Sequence, residues 1–181
     1  IIRAGASKEL LQLVELLGAP VVTTLMARGA FPDTHHLNLG MPGMHGTVAA
    51  VTALQKADLL ITLGARFDDR VTGKLSSFAP NAKIIHADID PAEINKNRTA
   101  DVALLGDLKN TLIALYPELK SQLQKHPVDL APWLEQTISW RTRFPLGFDL
   151  PADGSVSPQA VIQRIGQIAG PDAIYVSGVG Q

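Results

Sequence analysis

Short apolar runs alternate with stretches of helical hydrophobic spacing along most of the chain. Continuous apolar runs predict buried strands, because strands of a parallel sheet are covered on both faces. The strands predicted in this way span 21–25, 59–63, 83–87 and 102–105. Helical spacing between them predicts helices that start near residues 7, 48 and 107. The alternation predicts an α/β fold with a Rossmann-like, doubly wound parallel sheet.

Small and polar residues mark the ends of these helices. Ser7 is predicted to cap the first helix and Gly18 to end it. The second helix runs from Val48 to near Lys56, after a glycine-rich loop at 40–46. Asp107 is predicted to cap the third helix. The apolar face of that third helix is formed by Leu108, Leu112, Leu115, Leu119 and Leu123.

The pattern changes after residue 126. Prolines and both tryptophans interrupt the alternation, with a helix predicted from Trp133 to Arg143, so 127–155 is interpreted as a linker. A second α/β domain is predicted to start at 156. Ser157 and Pro158 begin its first helix, and a strand follows at 173–177. The predicted buried face of that helix consists of Val161, Ile162, Ile165 and Ile168.

Composition and charge narrow the classes of partner. With 46% apolar and 18% charged residues the chain has a globular composition. Sixteen basic residues against seventeen acidic ones, scattered along the sequence, argue against nucleic acid. The absence of cysteine excludes thiolate metal sites and cysteine nucleophiles, and it is compatible with a cytoplasmic location. No apolar run approaches the length of a membrane span. Without an initiator Met, and with its last residues directly after a strand-like run, the chain is expected to be an internal piece.

Candidate chemistry lies directly after the predicted strands. Ligands of doubly wound sheets bind at the carboxyl ends of strands, where glycine allows close approach, arginine can pair with phosphate and carboxylates can accept from ribose. The residues at these ends predict a nucleotide site at one sheet edge. They are Thr24, Leu25 and Met26, then 64–70, then 88–90, and finally Gly106 and Asp107.

Each feature also has a simpler interpretation. Asp107 fits a helix cap, and 68–70 could be a solvated turn. The loop at 40–46 could hold phosphate or the edge of a flat ring, with Met44 as an apolar contact, or could be a mobile loop. His86, inside a strand, is expected to be a hydrogen-bonded core residue. No Gly-x-Gly-x-x-Gly motif follows a strand, which disfavours an NAD site, and no metal site is predicted.

Four strings in order carry a family resemblance. They are VTTLMARG at 22–29, LGMPGMHGT at 39–47, GARFDDRVTG at 64–73 and ADIDPAEIN at 87–95. They resemble the acetolactate synthase (acetohydroxyacid synthase) catalytic subunits among the thiamine-diphosphate enzymes. The resemblance implies an FAD-binding middle domain at 1–126, whose first strand precedes Ile1. It also implies a truncated thiamine-diphosphate-binding domain at 156–181.

The same resemblance assigns site residues. Arg70 is implied to hold the carboxylate of the second 2-oxo acid, and Asp69 and Arg70 to line the substrate channel. Gly180 and Gln181 are implied to contact thiamine diphosphate. The implied FAD contacts are Thr24, Leu25, Gly43, Met44, His45, Gly64, Ala65, Arg66, Phe67, Asp68, Asp69, Asp88, Ile89, Asp107 and Leu108.

The activity implied for the complete enzyme is the decarboxylating condensation of two pyruvates, or of pyruvate and 2-oxobutyrate, in branched-chain amino-acid biosynthesis. FAD, thiamine diphosphate and Mg²⁺ are the implied cofactors. A homodimer or homotetramer and a small regulatory subunit are the implied partners, in the cytoplasm. The chain alone is expected to be inactive. Two alternatives are another thiamine-diphosphate enzyme, such as a pyruvate oxidase or glyoxylate carboligase, and a non-catalytic nucleotide-binding module.

Overall fold

A computed structural model describes residues 1–178. Contacts divide the chain after Pro145 into two units. The first unit contains five strands: β1 (Val21–Val22), β2 (Asn38–Gly40), β3 (Leu59–Leu63), β4 (Lys83–Asp88) and β5 (Val102–Leu105). Its α-helices are α1 (Ser7–Leu17), α2 (Val48–Lys56), α3 (Asp69–Thr72), α4 (Leu108–Lys125) and α5 (Ala131–Arg143), with 3₁₀ turns at Leu25–Ala27 and Leu75–Ser77.

The strands form two parallel sheets. One contains β3, β4 and β5 in that order, and the other pairs β1 with β2. The predicted parallel α/β fold is confirmed. The expectation that all four predicted strand ends lie on one sheet is wrong, because β1 pairs with β2 instead. Strand β1 is also shorter than predicted, since the chain turns into a 3₁₀ helix at Leu25.

Helices cover both faces of the β3–β5 sheet. Successive side chains of a strand point to opposite faces. Leu63 packs on one face against residues of α1 and α4. On the other face, Leu60 and Ile84 pack with Phe78 and with Leu54 of α2. The sheet is therefore doubly wound, as predicted.

Two predicted helix starts differ from the structure: α5 begins at Ala131 instead of Trp133, and the cap of α1 is not the predicted one. Helix α1 starts at Ser7, but its N-cap residue is Ala6 and no side-chain capping bond forms, so the predicted Ser7 cap is wrong. Gly18 ends α1 in the left-handed conformation, with φ of 65°, as predicted. Asp107 caps α4 by accepting from the backbone N–H of Asn110 at 3.0 Å.

Helix α5 belongs to the first unit. Its two tryptophans, Trp133 and Trp140, pack against Leu39 of β2 and against alanines of α2. The Arg141 guanidinium donates to the backbone carbonyl oxygen of His36 at 2.8 Å. The compact unit therefore continues to Pro145, through the first part of the stretch interpreted as a linker.

The second unit contains helix α6 (Pro158–Ala169), which Ser157 caps as predicted. The predicted buried face of α6 is wrong, because Ile162 and Ile168 are 71% and 72% exposed. The predicted strand at 173–177 is also wrong, since these residues have no regular structure. A strand needs a neighbour to satisfy its backbone groups, and none occurs among the described residues of this unit.

Candidate functional site

Three strand ends meet at the carboxyl edge of the β3–β5 sheet. The Gly64 N–H donates to the Ala87 carbonyl oxygen at 2.8 Å, and the Gly106 N–H donates to the Asp88 carbonyl oxygen at 2.9 Å. Gly64 has a φ of 70°, and a Cβ on it would lie 3.1 Å from a methyl group of Leu108. The structure thus brings Gly64, Asp88 and the start of α4 together. We call this set of strand ends the β3–β5 edge.

Asp88 and Ile89 differ in exposure at this edge. Asp88 is 8% exposed, and one of its carboxylate oxygens accepts from the Asp90 N–H at 2.9 Å. Ile89 is 70% exposed. A buried, oriented carboxylate beside an exposed apolar side chain suits a ligand that combines hydroxyl groups with a flat apolar part.

The loop after β3 carries charged groups at the same edge. Arg66 is exposed, and its Nε lies 3.2 Å from an Asp68 carboxylate oxygen. The other Asp68 oxygen accepts from the Arg70 N–H at 3.1 Å, so Asp68 caps the short helix α3. Asp69 and Arg70 are exposed in α3. In the described part of the chain the Arg70 guanidinium pairs with neither Asp68 nor Asp69.

Asn97 holds this loop, a role that the sequence did not indicate. Its side-chain amide donates to the carbonyl oxygens of Arg66 and Phe67, at 2.9 and 3.1 Å. Phe67 has a φ of 54°, which is unfavourable for an aromatic residue, and its ring is buried. Thirty residues separate the partners, so no local spacing reveals the contact. The resemblance string at 87–95 ends just before Asn97.

The glycine-rich loop at 40–46 is fixed by its own hydrogen bonds. The Gly46 N–H donates to the Gly43 carbonyl oxygen at 3.0 Å, and the Thr47 N–H donates to the Met41 carbonyl oxygen at 2.9 Å. A Cβ on Gly43 would lie 2.1 Å from the Arg70 carbonyl oxygen. This close approach places the loop directly against α3.

A cavity of about 600 Å³ lies between the glycine-rich loop and α3. Met44 and Arg70 line it together with Asp69 and Phe78. Met44 is 80% exposed, and His45 beside it is also exposed. The cavity therefore combines an apolar sulfur-containing side chain with a guanidinium group.

The structure leaves several predicted site residues apart from this cluster. Thr24 and Leu25 follow β1, and no hydrogen bond or strand pairing of the described residues connects them to the β3–β5 edge. Leu25 is 71% exposed. Gly180 and Gln181 lie outside the described residues.

His86 is buried, as predicted. The expectation that its ring is hydrogen-bonded is wrong, because neither ring nitrogen has a partner among the described residues.

Among residues 1–178, no group of His, Cys, Asp or Glu is arranged to hold a metal ion. No helix of residues 1–178 combines the length and apolarity required to cross a membrane.

The fold and the site define a doubly wound α/β domain with candidate ligand-binding groups at the carboxyl edge of its sheet. Comparison with known families shows the family to which this domain belongs. Residues 1–115 match the family model for the central domain of thiamine pyrophosphate enzymes, and the chain belongs to that family. All 181 residues align with an acetolactate synthase of Mycobacterium bovis at 59% identity. They align with the acetolactate synthase large subunit of Corynebacterium glutamicum at 50%. A chloroplastic acetolactate synthase 1 of Zea mays is 45% identical over 98% of the chain.

The chain is much shorter than these relatives. It spans 29% of the length of the two bacterial proteins and 28% of the plant protein. The similarity therefore concerns one part of each relative.

Proposed function

We propose that the chain is part of an acetolactate synthase catalytic subunit, which joins two pyruvates, or pyruvate and 2-oxobutyrate, with loss of carbon dioxide. The observation that carries this proposal is the 59% identity over the entire chain with a protein of that name. An identity of 45% with the plant enzyme extends the similarity over a wide evolutionary range.

The role proposed for this chain within the enzyme is FAD binding. The β3–β5 edge supports it, because Gly64 has a left-handed φ of 70° that favours glycine and Asp88 presents an oriented carboxylate. Arg66 is exposed beside them and can donate to phosphate. In this arrangement the ADP part lies near Asp88 and Asp107, and the flavin near Met44 and Gly64. The remaining proposed contacts are Thr24, Leu25, Gly43, His45, Ala65, Phe67, Asp68, Asp69, Ile89 and Leu108.

Arg70 is proposed to hold the carboxylate of the second 2-oxo acid. The cavity that it lines beside Met44 supports this role, as does the lack of a carboxylate partner in the described residues. A guanidinium group can bind a carboxylate through two parallel hydrogen bonds.

Thiamine diphosphate and Mg²⁺ belong to the proposed complete enzyme. Thiamine diphosphate supplies the electron sink for decarboxylation and carbon–carbon bond formation. Gly180 and Gln181 are the proposed contacts to it. The proposal also includes the middle domain at 1–126, the thiamine-diphosphate-binding domain from 156 and a connecting segment between them, of which α5 packs within the first unit. We propose that the full-length subunit forms a homodimer or homotetramer, binds a small regulatory subunit and is located in the cytoplasm.

The test is an assay of the full-length gene product that carries this chain. We expect it to purify with FAD and to form acetolactate from pyruvate when thiamine diphosphate and Mg²⁺ are supplied. Added 2-oxobutyrate should give acetohydroxybutyrate as well. A flavoprotein that consumes pyruvate with oxygen and forms no acetolactate would contradict the proposal, and would favour a pyruvate oxidase.

A further inference from the structure

His86 is a buried polar residue that is not among the proposed contacts to FAD or substrate. It lies in β4 and is 0% exposed, and neither ring nitrogen has a hydrogen-bond partner among the described residues. Its ring packs edge-to-face on Phe67, with centroids 5.2 Å apart. Burying an imidazole without a partner is unfavourable. An apolar side chain would suit a purely structural position better.

The ring of His86 lies close to the carboxylate of Asp88, which is proposed to accept hydrogen bonds from the ribose of FAD. His86 and Asp88 are two residues apart on β4 and therefore point to the same face of the sheet. The His86 Nε2 is 3.8 Å from Asp88 Oδ2. The other oxygen, Oδ1, accepts from the Asp90 N–H. One carboxylate oxygen is thus held by the backbone, and the other is near the imidazole.

We infer that His86 is a positioning residue for Asp88. The 3.8 Å between Nε2 and Oδ2 is longer than a hydrogen bond, so a small shift of the ring or the carboxylate is needed for the N–H to donate. That donation would fix the rotation of the carboxylate, so that its remaining lone pairs face the ribose hydroxyls. The Phe67 ring holds the imidazole from the side of the loop that carries Arg66 and Asp68. His86 in this way connects two segments of the β3–β5 edge. The inference rests on the proposed FAD role of Asp88.

A double-mutant cycle in the full-length gene product tests the inference. FAD dissociation constants are measured for His86→Leu, Asp88→Ala and the double variant. Asp88→Ala should weaken FAD binding. His86→Leu should weaken it about three- to tenfold when Asp88 is present, and less than about twofold when it is absent. His86→Gln, whose amide can donate to Asp88, should stay within about twofold of the unmodified protein.

A matched control is Ile84→Val, because Ile84 is buried on the same face of β4 two residues before His86. It should show no dependence on Asp88. An equal loss for His86→Leu in both backgrounds, or no loss at all, would overturn the positioning role. If His86→Leu does not fold, a folded His86→Gln with a tenfold loss of affinity would overturn it instead. An unchanged affinity in Asp88→Ala would overturn the ribose role itself, which is a separate failure of the proposed site.

Discussion

Single side chains at the β3–β5 edge already have distinct tasks in the structure. Asp68 is engaged twice, by Arg66 and by the backbone of α3, whereas the Arg70 guanidinium pairs with no carboxylate among the described residues. A structural ion pair therefore does not account for Arg70. This distinction makes the substrate role separable from FAD binding by mutation.

Arg70→Lys in the full-length gene product should keep FAD bound and lower carboligation. Lysine replaces a bidentate guanidinium donor with a single ammonium charge. The second substrate should therefore lose a charged hydrogen bond, which contributes about 1.5–3 kcal/mol to its binding free energy. The ratio of acetohydroxybutyrate to acetolactate should change as well. Arg66→Lys is the matched control and should leave that ratio unaltered. An unchanged product ratio in Arg70→Lys, combined with lost FAD, would exclude the substrate role.

Asn97 should prove necessary for FAD binding although it lies outside the strand ends. Asn97→Asp keeps the shape of the side chain but removes both donors to the 66–67 carbonyls, so the left-handed Phe67 loses its support. We expect FAD affinity to fall about tenfold, from two lost hydrogen bonds of about 0.5–1.5 kcal/mol each. The exposed Asn81→Ala should have no effect. Full FAD affinity in Asn97→Asp would show that the loop holds its shape unaided.

Among the elements, the glycine-rich loop leaves no space for a side chain at Gly46. A Cβ on Gly46 would lie 2.2 Å from the Met41 carbonyl oxygen, and the backbone of Gly46 itself is not left-handed. Gly46→Ala should therefore destabilise the protein by overpacking alone, by about 1–3 kcal/mol. Gly147→Ala is the control, because Gly147 also lacks a positive φ but has open space around it. Equal unfolding midpoints for the two variants would contradict this prediction, because they would mean that the loop backbone shifts to accommodate the added methyl group without loss of stability.

The sequence predicted those elements whose pattern is local. Strands β3 and β5 were predictable as apolar runs, and β4 from the apolar residues of its segment KIIHAD. The predicted burial is wrong for β5, whose residues are exposed or half-buried. Strand β2 was not, because Asn38–Gly40 is a three-residue strand with one apolar side chain. The α6 helix was predictable from its cap, but its burial depends on partners that periodicity does not specify. The Asn97 contacts and the unpartnered imidazole of His86 arise from tertiary structure, which no spacing rule describes.

At the scale of the whole molecule, the proposed FAD site lies along the carboxyl edge of the β3–β5 sheet. The family match covers residues 1–115, which contain every described residue of that site. The α5 helix extends the same unit to Pro145. The ligand should therefore lie within the first unit, along one edge.

The most direct measurement is an experimental structure of the full-length gene product with FAD bound. We expect the isoalloxazine ring near Met44 and Gly64, the diphosphate within hydrogen-bonding distance of Arg66, and the ribose of the ADP part on Asp88. FAD bound at another surface, or with its ADP part away from Asp88 and Asp107, would contradict the account.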